Sequence, residues 1–310
     1  MTDGRYLDHL LHERHCEFKR LDVTGMDNIP ILRINDPEMV EQETCLFFPG
    51  YSTGDQYVSL LHREIQASLE LRQAMPVVRF ADGEYAFYAN RLNCNGLYSQ
   101  AESVASIKQA IPGHIEGFKQ LAASGKIAPL IFPGNVRRKH KGILHFFRTM
   151  HGDDAAVQFI DFLYENKIKL TEDNYIPFYA VYAYLTSRDF GTLVNGKQVC
   201  IISSECNQAA CAAWFASRSS TPEVFFVKIP ESYVATRWEA MRNDIIGQVP
   251  SDTDICLVGA GVGSLLVCVD VAGYLSIPAI DAGHIVNMMN NQEAKSNGPR
   301  LYTMYRQTCD

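Results

Sequence analysis

Three charged side chains stand close together in the segment VVRFADGE: Arg79, Asp82 and Glu84. Asp82 and Glu84 are separated by Gly83 alone, and a glycine permits a tight turn that aims both carboxylates at one point. Two hard oxygen donors so aimed suit Mg²⁺ or Mn²⁺, whose other positions can be filled by phosphate oxygens and water. Arg79 offers a planar fork for a phosphate or for one of those carboxylates. The letters DGE also spell an ordinary surface turn.

A second group lies in DICLVGAGVGSLLVCVDVAGYLSIPAIDAGH, which reads as strand, glycine turn, helix, strand. Gly259, Gly261 and Gly263 let the backbone pass close to a ligand. Ser264 can cap the helix, whose first amides favour an anion such as a diphosphate. Asp281 follows Gly259 by 22 residues, the distance at which an acid meets a ribose hydroxyl in dinucleotide-binding units. The GxGxG spelling also suits S-adenosylmethionine. Serine stands at 264, where GxGxxG needs its third glycine, and close helix–strand packing explains the glycines as well as a ligand does. Beside Asp281, His284 is a candidate for phosphate contact, metal contact or acid–base work.

Ser203, Ser204, Glu205 and Asn207 form a third group, between QVCIIS and an alanine-rich segment. They offer donors and an acid, or simply an N-cap by either serine with Glu205 in the favourable first turn. The run Arg137 to Lys141 (RRKHK) is either a solvated face or a phosphate- or acceptor-binding loop. Tyr175, Phe178, Tyr179, Tyr182 and Tyr184 are a core-facing helix stripe or a platform for a sugar or base.

These residues need elements to position them. Continuous apolar runs predict strands at 76–80, 127–132, 198–203, 223–230, 254–259 and 277–281. Helical periodicity predicts helices at 57–74, 107–123, 157–166, 175–186, 208–217, 234–246 and 264–274. Apolar strands alternating with helices predict an α/β, Rossmann-like, doubly wound and mainly parallel sheet with helices on both faces. Asp82, Glu205, Gly259 and His284 then all fall at carboxyl ends of strands, where open α/β sheets bind ligands. Residues 1–45 read as an N-terminal extension, partly helical over LDHLLHERHCEFKRL, with CLFFP at 45–49 as a short strand. Residues 46–310 read as a single Rossmann-like catalytic domain.

Composition narrows the function. The chain has 310 residues, of which 47% are hydrophobic and 20% charged. That is globular composition, able to bury a large core. A net charge of −7 counts against nucleic acid as partner. Nine cysteines, with no CxxC and with several in apolar runs, read as reduced thiols in a reducing compartment. The N-terminus lacks an apolar core of signal-peptide length. The longest apolar run, 255–269, is too short to span a bilayer, so the chain is expected to be cytoplasmic, with no transmembrane segment. An oligomer is left open.

Two of these motifs resemble one known family. RFADGE (79–84) is similar to the RFGDGE signature of the GT-D type of glycosyltransferases, once catalogued as a domain of unknown function. GYLSIPAIDAGH (273–284) is similar to that family's GYqAlDiGH ending, and VCIISSECNQ sits where the family has a strand running into a polar loop. The resemblance spans roughly residues 75 to 290, with Ala81 in place of the family's glycine. It implies a Rossmann-like GT-D fold, a D-x-E pair at Asp82 and Glu84 holding Mn²⁺ or Mg²⁺, and a nucleotide-sugar donor, typically a UDP-sugar. Arg79, Asp281 and His284 match the family's arginine, aspartate and histidine. The function so implied is metal-dependent transfer of a sugar to a hydroxyl of a glycan or glycoconjugate acceptor. Asp281, His284 and Glu205 are then candidates for the acid–base group, and Ser203, Ser204, Gly259, Gly261, Gly263 and Ser264 for donor binding. Two other readings stand beside it: a Rossmann methyltransferase or dehydrogenase built on VGAGVG, and a non-catalytic nucleotide-sugar-binding subunit.

Overall fold

The computed structural model describes residues 19–22, 44–47, 54–94, 98–99, 101–130 and 155–291. Lys19–Asp22 (β1) pairs antiparallel with Thr44–Phe47 (β2). Residues 19–21 are therefore strand where a helix was expected, and the rest of that expected helix lies outside the described residues. So does the basic run 137–141.

From residue 54 onward strands and helices alternate. Gly54–Leu71 (α1) leads into Met75–Phe80 (β3), every residue of which is buried. Asp82–Tyr88 (α2) follows at once. A two-residue ladder, Asn93–Cys94 (β4) with Tyr98–Ser99 (β5), precedes the long helix Val104–Ser124 (α3) and the buried strand Lys126–Pro129 (β6). Three helices come next: Ala155–Glu165 (α4), Phe178–Thr186 (α5) and Arg188–Val194 (α6). The chain then runs through Gln198–Ser203 (β7), Gln208–Ala216 (α7), Glu223–Lys228 (β8) and Val234–Ile246 (α8). It continues with Ile255–Gly259 (β9), one 3₁₀ turn at Gly261–Gly263, Ser264–Leu275 (α9), Pro278–Asp281 (β10) and His284–Met289 (α10).

The main sheet has six strands in the order β6-β3-β10-β9-β7-β8, and every pairing in it is parallel. Strands buried on both faces carry side chains that are apolar at nearly every position, which is why these runs do not alternate. One helix layer is built from α3, α8 and α9, which pack on one another, with α3 and α9 against β3. The other holds α1, α5 and α6, with α1 and α5 reaching the strands. The expected α/β fold, doubly wound around a parallel sheet, is the one observed.

Two further elements, both near the strand ends, differ from expectation. The aromatic helix begins at Phe178, because Pro177 forms its N-cap. Tyr175 instead bridges Ile127 alongside the sheet, with the Tyr175 and Tyr184 rings in the core. The Tyr179 side chain lies outside the described residues. The second difference is α2. Asp82–Gly83–Glu84 is the first turn of a helix, not a free turn, with acids at the first and third helical positions. The Glu84 carboxylate reaches back to accept the Ala81 amide at 2.9 Å, half of a capping box.

Candidate active site

The carboxyl ends of β3, β7, β8, β9 and β10 open into one cleft of about 390 Å³. Asp82 and Glu84 line it from the start of α2, Ser203 to Glu205 from the loop after β7, and Gly259 to Gly263 from the turn after β9. Gly283 and His284 come from the loop after β10, and Pro230 to Ala235 from the loop after β8. Motifs far apart in sequence thus surround one space. Residues two positions apart on a helix diverge by roughly 200°, so it is the cleft that Asp82 and Glu84 both line, not one tight turn, that could bring them to a common cation.

Arg79 and Asp281 form the floor. They sit on neighbouring strands, β3 and β10, and both side chains are almost wholly buried. The Arg79 amide donates to Asp281 Oδ2 at 3.3 Å, Nε donates to the Asp281 carbonyl at 2.9 Å, and Nη2 donates to Oδ1 at 3.1 Å. The guanidinium also stacks on Tyr182, 4.1 Å from its ring centre, and lies 5.2 Å from that of Phe178. Burial pushes the Asp281 carboxyl up, against the opposing pull of Arg79. Arg79 thus grips Asp281, where a phosphate or one of Asp82 and Glu84 was expected. Both Asp281 oxygens are engaged by protein. Phe178 and Tyr182 belong to the cleft, so part of the aromatic stripe is a wall of the site.

Ser264 was expected to cap α9 and to meet the ligand. The structure instead makes Gly263 the N-cap and Ser264 the first helical residue. Ser264 is buried, its oxygen accepts the Ala260 amide at 3.3 Å, and its hydroxyl bonds Asp281. It sits beneath the glycine turn as a brace. The glycines divide in role. A Cβ at Gly263 would lie 2.6 Å from Val234 Cγ1, so that glycine allows α8 to approach. Gly261 has φ +54 with open space beside it, so its backbone conformation is what calls for glycine.

The loop after β7 is also held differently from expectation. Asn207, not Ser203 or Ser204, caps α7, its Oδ1 accepting the Ala210 amide at 3.1 Å. Ser203 Oγ donates to the Glu205 carbonyl at 2.5 Å. Asn290 was not anticipated. It is 4% exposed, its amide donates to the Glu205 carbonyl at 3.0 Å, and its oxygen accepts the Asn207 amide at 2.7 Å. A lone buried asparagine beyond the last motif carries no spacing signal that would have marked it.

Two groups in the cleft are poised by their surroundings. Burial raises the Glu84 carboxyl from 4.5 to about 7, with Asp281 and Asp82 adding repulsion. His284 opens one face to solvent, and Tyr182 Oη lies 3.2 Å from its Nδ1. Desolvation in the cleft wall and the nearby Arg79 charge hold the ring down at about 4, so it is neutral at physiological pH. Among the described residues no three of His, Cys, Asp and Glu gather as a metal cage. Two carboxylates on an open wall are, however, the donor set on which Mg²⁺ or Mn²⁺ binds together with substrate phosphates. The residues present fit a cation of that kind.

No protein-family model matches the chain, and no curated protein matches it. One solved structure is similar, a selenomethionine-substituted domain of unknown function 1792. It is 15% identical with a TM-score of 0.44, covering 76% of this chain and 84% of that one. Among the described residues no helix is long and apolar enough to cross a membrane.

Proposed function

We propose that the protein is a metal-dependent glycosyltransferase that takes a nucleotide diphosphate sugar, a UDP-sugar first among them, and transfers the sugar to a hydroxyl of a glycan or glycoconjugate. One observation carries the reading. The acidic start of α2 and the glycine turn after β9 meet across one cleft at the carboxyl ends of parallel strands. The resemblance of RFADGE and GYLSIPAIDAGH to the GT-D signatures supports the same assignment.

On this reading the diphosphate lies between the two. Asp82 and Glu84 would hold Mn²⁺ or Mg²⁺, whose chemistry is to offset charge gathering on the leaving diphosphate. Gly259 to Gly263 lend backbone close to the same anion. Arg79 remains in its pair with Asp281, holding the strand ends in register. His284 and Glu205 face the cleft and are the groups placed to take a proton from an acceptor hydroxyl. Asp281 is not, because Arg79 engages both of its oxygens. The same pair weighs against a dehydrogenase reading, which needs that carboxylate for a ribose.

The test is turnover of UDP-sugars with Mn²⁺, with Mg²⁺ and with EDTA. Asp82→Ala and Glu84→Ala should each lower metal-dependent turnover by roughly 100-fold or more; unchanged turnover overturns the assignment. Thermal shifts with UDP, S-adenosylmethionine and NAD separate the rivals, since a ligand at 100 times its Kd adds about 2.7 kcal/mol. UDP binding without turnover on any acceptor would instead identify a binding subunit.

A further inference from the structure

Five described cysteines are free thiols, and four of them are buried in the fold. Cys206 is the exception. It lies half-buried in the loop after β7, immediately before the Asn207 cap of α7. Its Sγ is 3.8 Å from that of Cys211, in the first turns of α7. A disulfide needs about 2.05 Å between sulfurs, so the pair must close by under 2 Å.

We propose that Cys206 and Cys211 are a redox-active dithiol that forms a reversible disulfide with small-molecule disulfides of the glutathione type. The Cys206 thiolate attacks one sulfur of the oxidant, forming a mixed disulfide and releasing one small thiol. Cys211 then gives up its proton and attacks Cys206 Sγ, releasing the second small thiol. Two protein thiols are oxidised by two electrons, one small disulfide is reduced to two thiols, and the protons leave on those thiols.

The roles follow from placement. Cys206 is the reachable sulfur, and its thiolate can take the single Cys211 S–H in place of Asn290 Oδ1, which lowers the Cys206 thiol against the opposing effect of burial. Cys211 is buried, with its thiol pushed up, so it resolves the mixed disulfide and does not start the reaction. Oxidation also reaches the cleft. Cys211 Sγ donates to Asn290 Oδ1 at 3.4 Å, and a disulfide has no S–H to donate. Asn290 is the residue that holds Glu205 and Asn207, so the disulfide loosens the clamp on the β7 loop. This goes beyond the transferase reading and stands whether or not that reading holds.

The experiment uses the full chain equilibrated in oxidised and reduced glutathione, acid-quenched, alkylated under denaturing conditions and digested with trypsin. Cys200, Cys206 and Cys211 all lie between Lys197 and Arg218, so one peptide reports the outcome. The expected result is that Cys200 is alkylated while Cys206 and Cys211 are protected until dithiothreitol is added. Cys211→Ser should accumulate a glutathione adduct on Cys206, and Cys206→Ser should leave Cys211 free. Hydrogen exchange at the Asn207 amide should quicken several-fold on oxidation. The proposal is overturned if both thiols are alkylated in strongly oxidising buffer. It is equally overturned if Cys206 stops as the glutathione adduct in the unaltered protein, or if Cys206 pairs with any cysteine other than Cys211.

Discussion

Arg79 Nη2 sits 3.1 Å from Asp281 Oδ1 across the β3–β10 seam, and Nε of the same guanidinium holds the Asp281 carbonyl. The two residues lie 202 positions apart in the chain. Parallel pairing of Val77 with Ile280 sets them beside each other at the ends of their strands. A buried charge pair is tolerated only where its remaining hydrogen bonds are filled. Here the Arg79 amide, Ser264 and the Tyr182 ring complete the set. The pair joins the two motifs from below, so that Asp82 and His284 stand over one floor.

Removing the Asp281 charge should therefore be costly. Asp281→Asn leaves the guanidinium buried without a counter-charge, which destabilises by about 3–5 kcal/mol. Urea unfolding checks this. The double variant Arg79→Leu/Asp281→Leu should recover part of that loss, because it removes both desolvation penalties. A loss below about 1 kcal/mol for Asp281→Asn would show that the pair does not carry the seam.

Gly283 is placed by the same pair. It has φ +41, and a Cβ there would lie 2.0 Å from Arg79 Nη2. Gly283→Ala must displace the guanidinium or bend the loop, at about 1–3 kcal/mol. Gly273, in the same motif, has nothing within 4 Å of its Cβ position and sits inside α9. Gly273→Ala should stabilise by about 0.5–1 kcal/mol, since glycine weakens a helix interior. Opposite signs in one melting experiment are the expected result; equal signs contradict it.

The strands were legible because each is a continuous apolar run between polar ends. Gln198–Ser203 coincides with its predicted range, and the carboxyl-end positions of Asp82, Glu205, Gly259 and His284 followed. The helical start at Asp82 was not read, because Gly83 suggested a turn. The signal was present, acids at the first and third positions of a helix whose Tyr85, Phe87 and Tyr88 are buried. The partner of Arg79 was invisible in spacing, since sequence separation says nothing about which strands become neighbours. Ser264 and Asn290 act beneath the cleft, and support of that kind leaves no local pattern.

A histidine away from the cleft gives stability one sense of pH dependence. His114 is fully buried, with Nδ1 2.9 Å from Tyr88 Oη and Nε2 2.9 Å from the Ala235 carbonyl. The carbonyl can only accept, so Nε2 carries the proton and Nδ1 accepts from the tyrosine. Burial lowers the ring from 6.5 to about 4. Between those values the unfolded chain binds the proton and the folded one does not, so stability falls as pH drops from 6.5 towards 4. His114→Gln should flatten that slope in urea midpoints taken across the window. An unchanged slope would remove His114 from the account.

Glu84 acts in the opposite sense. Its carboxyl is raised by burial from 4.5 to about 7, so between these values the folded protein holds a proton that the unfolded chain has lost. Its contribution is whole below pH 4.5 and disappears as pH rises through about 7, on the order of 2–3 kcal/mol across the window. Glu84→Gln keeps an oxygen for the Ala81 amide and removes the titration. The difference between the two proteins, measured by denaturant unfolding in EDTA, isolates Glu84, because His114 and His284 are common to both. That difference should fall with rising pH and then level off. A divalent cation bound at Asp82 and Glu84 with UDP must displace the same proton, since the ligand is the carboxylate. Calorimetry at about pH 6 in buffers of different ionisation heat should therefore show close to one more proton released on Mn²⁺–UDP binding than with Glu84→Gln, the release from the UDP phosphate being common to both. A flat stability difference sinks the perturbed carboxyl; proton release unaltered by Glu84→Gln sinks its place at the metal.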